Sequence, residues 1–370
     1  MRICFFTKAL FYPESSSCYL GASKHRLESL ANAITNKSNQ VSVIALSSQA
    51  QESLFLKNSA YRIYQIGYKN RPIFPVFEYI QCLTALISIR PTHVLVYNFS
   101  IEGFFIALAA IITNRSRVIL IYEDAVMPLF NLRAFIDSLS FWPLFLLSNR
   151  SYLTPSASLR LKIRGKVATE IPYIYPKSYV TIPTLIRQGS KFNILFGGSR
   201  NKDTGWELFV QALLCLSTLK IDSELHFWVT GLGPDISTAD AQLIEKNKSI
   251  TIHSFAGCSR DTYNDILRDA HIGLSLKLPG GAYSSTTFPS KIPELVAANK
   301  VVISTKIPTV YQIFEDNIFY FDGTSAGLAH AIKSVTDNFD KAAQKSSNFS
   351  REFFSKYRLS STTQLIEKLL

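Results

Sequence analysis

Short runs of Val, Ile, Leu and Phe recur along this chain, each followed by a segment of helical length, and that alternation limits the fold more than any other feature. Such an alternation is the pattern of a parallel sheet flanked by crossover helices. In the first half the runs fall at 2–6, 41–46, 61–66, 93–96, 118–122 and 151–154. Between the first two, 22–34 carries Leu27, Leu30, Ala31 and Ile34 at helical spacing. The rhythm then restarts, with strands expected at 192–196, 225–229, 250–254, 272–276, 301–304 and 319–321. Helices are expected from Trp206 onward and over 259–269, 290–298 and 325–337.

Two rounds of one pattern in 370 residues predict two α/β domains, each a doubly wound Rossmann-like sheet, facing across a cleft. The irregular stretch 171–191 carries Pro172, Pro176 and Pro183. We divide the chain into a first domain at 1–175, a linker at 176–191, a second domain at 192–345, and helices at 346–370 expected to cross back to the first domain. Ligands of such sheets sit beyond the carboxyl ends of the strands.

Composition narrows the function classes. With 47% hydrophobic and 18% charged residues the chain can offset its ordering entropy, which excludes a disordered protein. Lys and Arg number 39 against 27 Asp and Glu, and the net charge of +12 points to nucleic acid, a membrane surface or phosphorylated small molecules. The cations are spread along the chain and no nucleic-acid motif occurs, so a nucleic-acid binder is the weakest alternative. The first residues read as a strand and not a signal peptide, and no stretch nears ~18 apolar residues. Five scattered cysteines without CxxC spacing and six histidines without an HxxxH pair predict a reduced, cytoplasmic protein that needs no metal.

The most informative stretch is 280–305, GGAYSSTTFPSKIPELVAANKVVIST: a Gly- and Ser-rich loop, a helix start at Pro289, a helix and a strand. Hydroxyl caps and free helix N–H groups suit an anion, and Lys291 stands in a first turn that ordinarily prefers acids. Glu294, about a turn further on, can accept hydrogen bonds from sugar hydroxyls. A capped helix with an exposed Lys–Glu pair accounts for the same residues without a ligand.

The segment FPSKIPELVAANKVVIST resembles the FPSK-x-x-E stretch of GT-B glycosyltransferases, in particular family 4 enzymes of bacterial surface-polysaccharide pathways. Three further blocks match in order: GGSRNKDTGWELFVQAL at 197–213, LHFWVTGLGPD at 225–235, and ITIHSFAGCSRDTYNDILRDAHIGLSL at 250–276. The resemblance implies that the second domain holds a nucleotide-sugar. It places Glu294 on the ribose hydroxyls and Ser290 and Lys291 against the diphosphate. Ser285, Thr286 and Thr287 would contact sugar and phosphates through backbone amides, Gly198, Gly231 and Gly233 would line the phosphate loops, and Phe255 and Ala256 would wall the base pocket. Thr286 stands where the family's E-x7-E motif has its first glutamate. Ser199 and Thr204 stand where it has basic residues, with Arg200 and Lys202 close by. We therefore assign the diphosphate role to Arg200, Lys202 and Lys291, with Arg200 and Lys291 as catalytic cations.

The first half matches less closely. YPESSSCYLGASKHRLESLANAI at 12–34 resembles the family's glycine loop and helix, which implies a backbone approach at Gly21 and an acceptor-facing His25 and Arg26. Glu123 and Asp124 follow a strand at its carboxyl end, where one of them is expected to line the site; an N-cap role for Asp124 is the alternative. The segment 127–150 is apolar and aromatic, with Arg133 and Arg150 as its cations, and suits a helix resting on anionic lipid.

The expected function is a retaining glycosyltransferase. It would move a sugar from a nucleotide donor to a lipid-linked oligosaccharide or a lipopolysaccharide- or capsule-type acceptor. A UDP-sugar is favoured and a GDP- or dTDP-sugar stays open; no cofactor or metal is required. The enzyme would work peripherally on the cytoplasmic face of the inner membrane. A GT-B nucleotide-sugar epimerase is the alternative, with Glu123, Asp124 and His25 available for proton transfer.

Overall fold

The computed structural model describes residues 1–8, 22–35, 39–47, 54–57, 61–67, 76–123, 139, 141–148, 151–154, 167–171, 189–278, 288–357, 363–365 and 370, apart from the side chains of 22–26, 47, 54, 56, 57, 151, 152, 167, 168 and 260. They fall into two compact units.

The first unit is built on an eight-stranded sheet. Its strands are β1 (Arg2–Thr7), β2 (Gln40–Ser47), β3 (Leu54–Lys57), β4 (Arg62–Gly67), β5 (His93–Tyr97), β6 (Arg117–Ile121), β7 (Ser151–Thr154) and β8 (Val167–Glu170). The spatial order is β3-β4-β2-β1-β5-β6-β7-β8, parallel throughout except for β3 against β4. Helices α1 (Ala22–Thr35), α2 (Val76–Ile89), α3 (Ile101–Asn114) and α4 (Phe141–Leu147) complete it. Cys4, Phe6, Ile44 and Leu46 pack with α2, α3 and α4, while Ile3, Phe5, Val41 and Val43 pack with α1. The central strands β1, β5 and β6 are thus buried on both faces, which is why ICFFT, HVLV and VILI read as mostly apolar runs. The final residues also belong to this unit: Thr363 Oγ1 donates to Ala33 O at 2.9 Å, and His93 Nε2 lies 2.9 Å from Leu370 O.

The second unit has six parallel strands in the order β11-β10-β9-β12-β13-β14. They are β9 (Lys191–Phe196), β10 (Glu224–Thr230), β11 (Ile250–Phe255), β12 (Ile272–Ser275), β13 (Val301–Thr305) and β14 (Phe319–Phe321). The helices are α5 (Trp206–Thr218), α6 (Thr238–Glu245), α7 (Arg260–Asp269), α8 (Lys291–Ala297), α9 (Pro308–Phe314), α10 (Ser325–Asp337) and α11 (Phe339–Tyr357). Winding reverses at β9, which lies between β10 and β12, so the loops after these strands diverge and open a crevice at their carboxyl ends. The doubly wound α/β class expected from the sequence is the observed one. The two strands the pattern missed, β3 and β8, are four residues each.

Lys300, just before β13, is buried, and its ammonium donates to Arg268 O at 2.7 Å. Burial pulls its pKa down to about 8. From there to the ordinary lysine value near ~10.4 the unfolded chain holds a proton that the native state lacks, so stability is expected to rise with pH across that window. Lys300→Met removes the titrating group, and the wild-type-minus-variant difference in denaturant midpoint should change between pH 7.5 and 10. A difference independent of pH would count against a buried, titrating Lys300.

Candidate functional site

At the end of β9 the chain runs through Gly197 and Gly198 to Arg200, then into a 3-10 turn at Lys202–Thr204. Asn201 caps that turn: its Oδ1 accepts from Thr204 N at 3.0 Å, and Thr204 Oγ1 accepts from Asn201 N at 3.2 Å. The loop after β10 lies directly against this one. Gly231, at φ +100°, passes so close that a Cβ would collide with the carbonyl of Gly198, and a Cβ on Gly233 would collide with that of Arg200. Arg200 N donates to Leu232 O at 2.8 Å, which ties the two loops together.

The two cations of the β9 loop have different surroundings. Arg200 is only 1% exposed, its guanidinium paired with Asp235 and 5.5 Å over the Trp206 ring. Ser254 Oγ also donates to Asp235 Oδ1, at 3.1 Å, so one carboxylate joins the loops after β9 and β10 to the end of β11. Arg200 therefore organises the loops from beneath, while Lys202 is exposed on their surface. Phe255 is half-buried 6.4 Å from the Trp228 ring, and Ala256 beyond it is exposed.

α8 and α7 supply the charged centre. Lys291 Nζ lies 2.9 Å from Glu294 Oε2 and 3.0 Å from Tyr263 Oη, and Tyr263 Oη donates to the same Glu294 oxygen at 3.0 Å. The ammonium also stands 4.2 Å from the Tyr263 ring centroid. Burial alone would lower the Lys291 pKa, but the Glu294 carboxylate and the Tyr263 hydroxyl outweigh it and hold the amine charged. Burial, with Glu294 beside it, pushes the Tyr263 hydroxyl up, so it stays a donor. The triangle adjoins the phosphate-loop candidate, because a Cβ on Gly197 would lie 3.3 Å from Tyr263 Oη. Ser290 precedes α8, is exposed, and makes no side-chain cap. An ammonium has three donors and two are used here, so one N–H of the partly exposed Lys291 remains for an incoming anion.

Tyr263 was not legible as a site residue, since it lies on a different helix from Lys291 and Glu294. Tyr263→Phe keeps the ring but deletes the hydroxyl that both charged groups touch. It is expected to weaken nucleotide binding about three- to tenfold, the ~0.5–1.5 kcal/mol net worth of one hydrogen bond felt through positioning. Titration with UDP checks this, and unchanged affinity would make Tyr263 purely structural.

In the first unit Glu123 follows β6. Its backbone N donates to Asn98 Oδ1 at 2.9 Å, and its carboxylate accepts from Tyr97 Oη. The sequence reading overlooked Glu102, fully buried in the first turn of α3 and 3.7 Å from Lys8 just beyond β1. A lone acid in the otherwise uncharged helix IEGFFIALAAIITN was the available signal. Both acids stand at the carboxyl ends of strands near β1, where the winding of this sheet reverses. Gly21, Asp124, Ser285, Thr286 and Thr287 lie outside the described residues; His25 and Arg26 lie on α1, with side chains outside them. Among the described residues no cluster of three or more His, Cys, Asp or Glu could hold a metal.

No protein-family model matches the chain, and no curated protein matches it by sequence. Solved structures do. Sucrose-phosphate synthase from Thermosynechococcus elongatus superposes with a TM-score of 0.69 at 11% identity, over 100% of this chain and 98% of that one. Anabaena HepE in complex with UDP and glucose gives 0.65 at 13% identity, over 100% and 99%. UDP-GlcNAc 2-epimerase from Neisseria meningitidis bound to UDP-GlcNAc gives 0.60 at 13% identity, over 100% and 99%. What this chain shares with them from end to end is the GT-B fold of two parallel-sheet α/β domains.

Proposed function

We propose that this chain is a retaining glycosyltransferase that moves a sugar from a nucleotide-sugar, a UDP-sugar for preference, to a lipid-linked or surface-polysaccharide acceptor. The observation that carries the reading is the Lys291–Glu294–Tyr263 triangle beside the Gly197 loop. It sets a fixed cation and a fixed carboxylate side by side, matching a diphosphate and a ribose diol. The UDP and glucose held by HepE support the same ligand class.

In this mechanism Glu294 accepts from the ribose hydroxyls, and the remaining N–H of Lys291, with Lys202, meets the diphosphate. As the bond from the anomeric carbon to the phosphate oxygen breaks, charge develops on the leaving diphosphate, where these cations stabilise it. The acceptor hydroxyl attacks the same face of the sugar. Its oxygen bonds to the anomeric carbon, its proton passes to the departing phosphate oxygen, and configuration is retained. Glu123 or Asp124 orients the acceptor or the sugar, and Arg200 keeps the loops in place.

Support for a lipid-linked acceptor comes from α2, α3 and α4. Their sequences contain only Glu78 and Glu102 as charged residues, yet Phe77 is 75%, Ile112 71% and Leu146 75% exposed. An apolar layer of that kind supports peripheral docking on a bilayer, beside a lipid-linked acceptor. Among the described residues no helix is long and apolar enough to cross a membrane. Flotation with anionic liposomes tests the docking: Phe77→Ser/Leu146→Ser should cut the bound fraction several-fold, and equal binding by both proteins opposes it.

Epimerisation is the second reading, favoured by the Neisseria epimerase fold and by the buried Glu102 and half-buried Glu123 of the first unit. Incubation with UDP-GlcNAc in the absence of acceptor separates them. Formation of the 2-epimer supports epimerisation; slow release of UDP or no reaction supports transfer.

A further inference from the structure

At the amino-terminal edge of the first sheet, away from the strand ends just described, the structure holds a polar cavity. It has a volume of about 160 Å³ and is lined by Arg2, Gln40, Ser42, Arg62, Ser88 and Ile89, with Val41 behind them. Register explains the convergence. Arg2 pairs with Gln40 and Arg62 with Ser42, and Gln40 and Ser42 are two apart on β2, so all four side chains project to one face. That face is the one α2 covers, where Cys4 and Ile44 continue inward as core. α2 ends at Ile89, so its last turn closes the cavity with Ser88 and Ile89 while two guanidinium groups flank the mouth.

None of the lining residues is acidic. Among the described residues, the side chains of Arg2, Gln40, Ser42, Arg62 and Ser88 make no hydrogen bond or ion pair with one another or with neighbours. Ser42 is nearly buried, so its hydroxyl faces the cavity and not bulk water. Two forked cations, two hydroxyls and an amide around one small space supply more donors than a carboxylate can accept, but match the oxygens of a tetrahedral oxyanion.

We propose that this cavity is a phosphate-binding site, separate from the nucleotide-sugar site, taking a phosphomonoester or phosphate anion between Arg2 and Arg62. Its position beside the exposed Ile87 at the end of α2 gives a lipid headgroup phosphate access to it; free phosphate meets the same donors. The assignment does not depend on the glycosyl-transfer reading.

The test compares the full chain with Arg2→Gln/Arg62→Gln and with Arg115→Gln, an exposed arginine outside the cavity. Calorimetric titration with inorganic phosphate at low ionic strength should show a binding component weakened at least tenfold in the double variant and unchanged in Arg115→Gln. Both cavity arginines are exposed, so the thermal midpoint should stay within a degree or two; Arg2→Lys/Arg62→Lys, keeping the charge, serves as a second variant and should lose affinity less. Sedimentation with phosphatidylcholine vesicles containing phosphatidic acid identifies the source. A matching loss of vesicle binding in the double variant assigns a lipid phosphate, and unchanged vesicle binding with lost phosphate binding assigns a free one. Equal phosphate affinity in wild type and double variant overturns the site, whatever the transferase assays show.

Discussion

Replacing Glu294 with alanine is expected to lower kcat/KM for the nucleotide-sugar by at least a hundredfold while the protein stays folded. A carboxylate accepting from two ribose hydroxyls makes two charge-assisted hydrogen bonds, worth about 1.5–3 kcal/mol each, so losing both costs roughly two to four powers of ten. The substitution also strips Lys291 and Tyr263 of a shared acceptor. Lys291 keeps part of its side chain in water and can rehydrate, so the stability loss should stay near ~1–3 kcal/mol, the range for one unsatisfied buried donor. Glu294→Gln keeps the shape and one acceptor and should fall between the two proteins. Steady-state kinetics with UDP titration reads the first effect and urea unfolding the second. Full activity in Glu294→Ala would refute the donor-site assignment outright.

The largest stability effect is expected at Gly231. Alanine there must adopt φ near +100°, and its Cβ would meet the Gly198 carbonyl, so the β9 loop has to move. The unfavourable backbone costs about 1–2 kcal/mol and the forced displacement about 1–3 kcal/mol, or roughly 2–5 kcal/mol together. Nucleotide affinity should fall with it, because the displaced loop carries Gly197, Gly198 and Lys202. Gly198→Ala is the control. Its φ of +131° is equally unfavourable, but nothing lies within 4 Å of the added atom, so only the backbone part should appear. If Gly231→Ala unfolds no earlier than Gly198→Ala, close packing of the two loops is not what holds them.

Much of the architecture was legible because burial on both faces leaves a mark in the central strands: VILI of β6 and VVI of β13 are apolar residue after residue. β3 and β8 escaped for the converse reason. LFLK and VATE are four-residue segments at the two edges of the sheet, too short for the apolar residues in them to stand out as a strand. Candidate site residues divide along a similar line. Lys291 and Glu294 could be paired from sequence because three residues on a helix are neighbours. Arg200 could not be separated from Lys202, since two cations in one loop look alike until Asp235, 35 residues on, is seen to claim the first.

Taken alone, the amino-acid sequence determined the fold class, the order of twelve of the strands, and the loop–helix segments that meet at the second unit's strand ends. These follow from local periodicity, which each segment expresses without reference to the rest. Only the tertiary structure decided which side chains share a space. Tyr263 joins Lys291 and Glu294, Glu102 is buried beside Lys8, and Arg2 and Arg62 flank one cavity from strands 60 positions apart. Such meetings depend on strand register and on the path of the chain between elements, and no local pattern of residues records either.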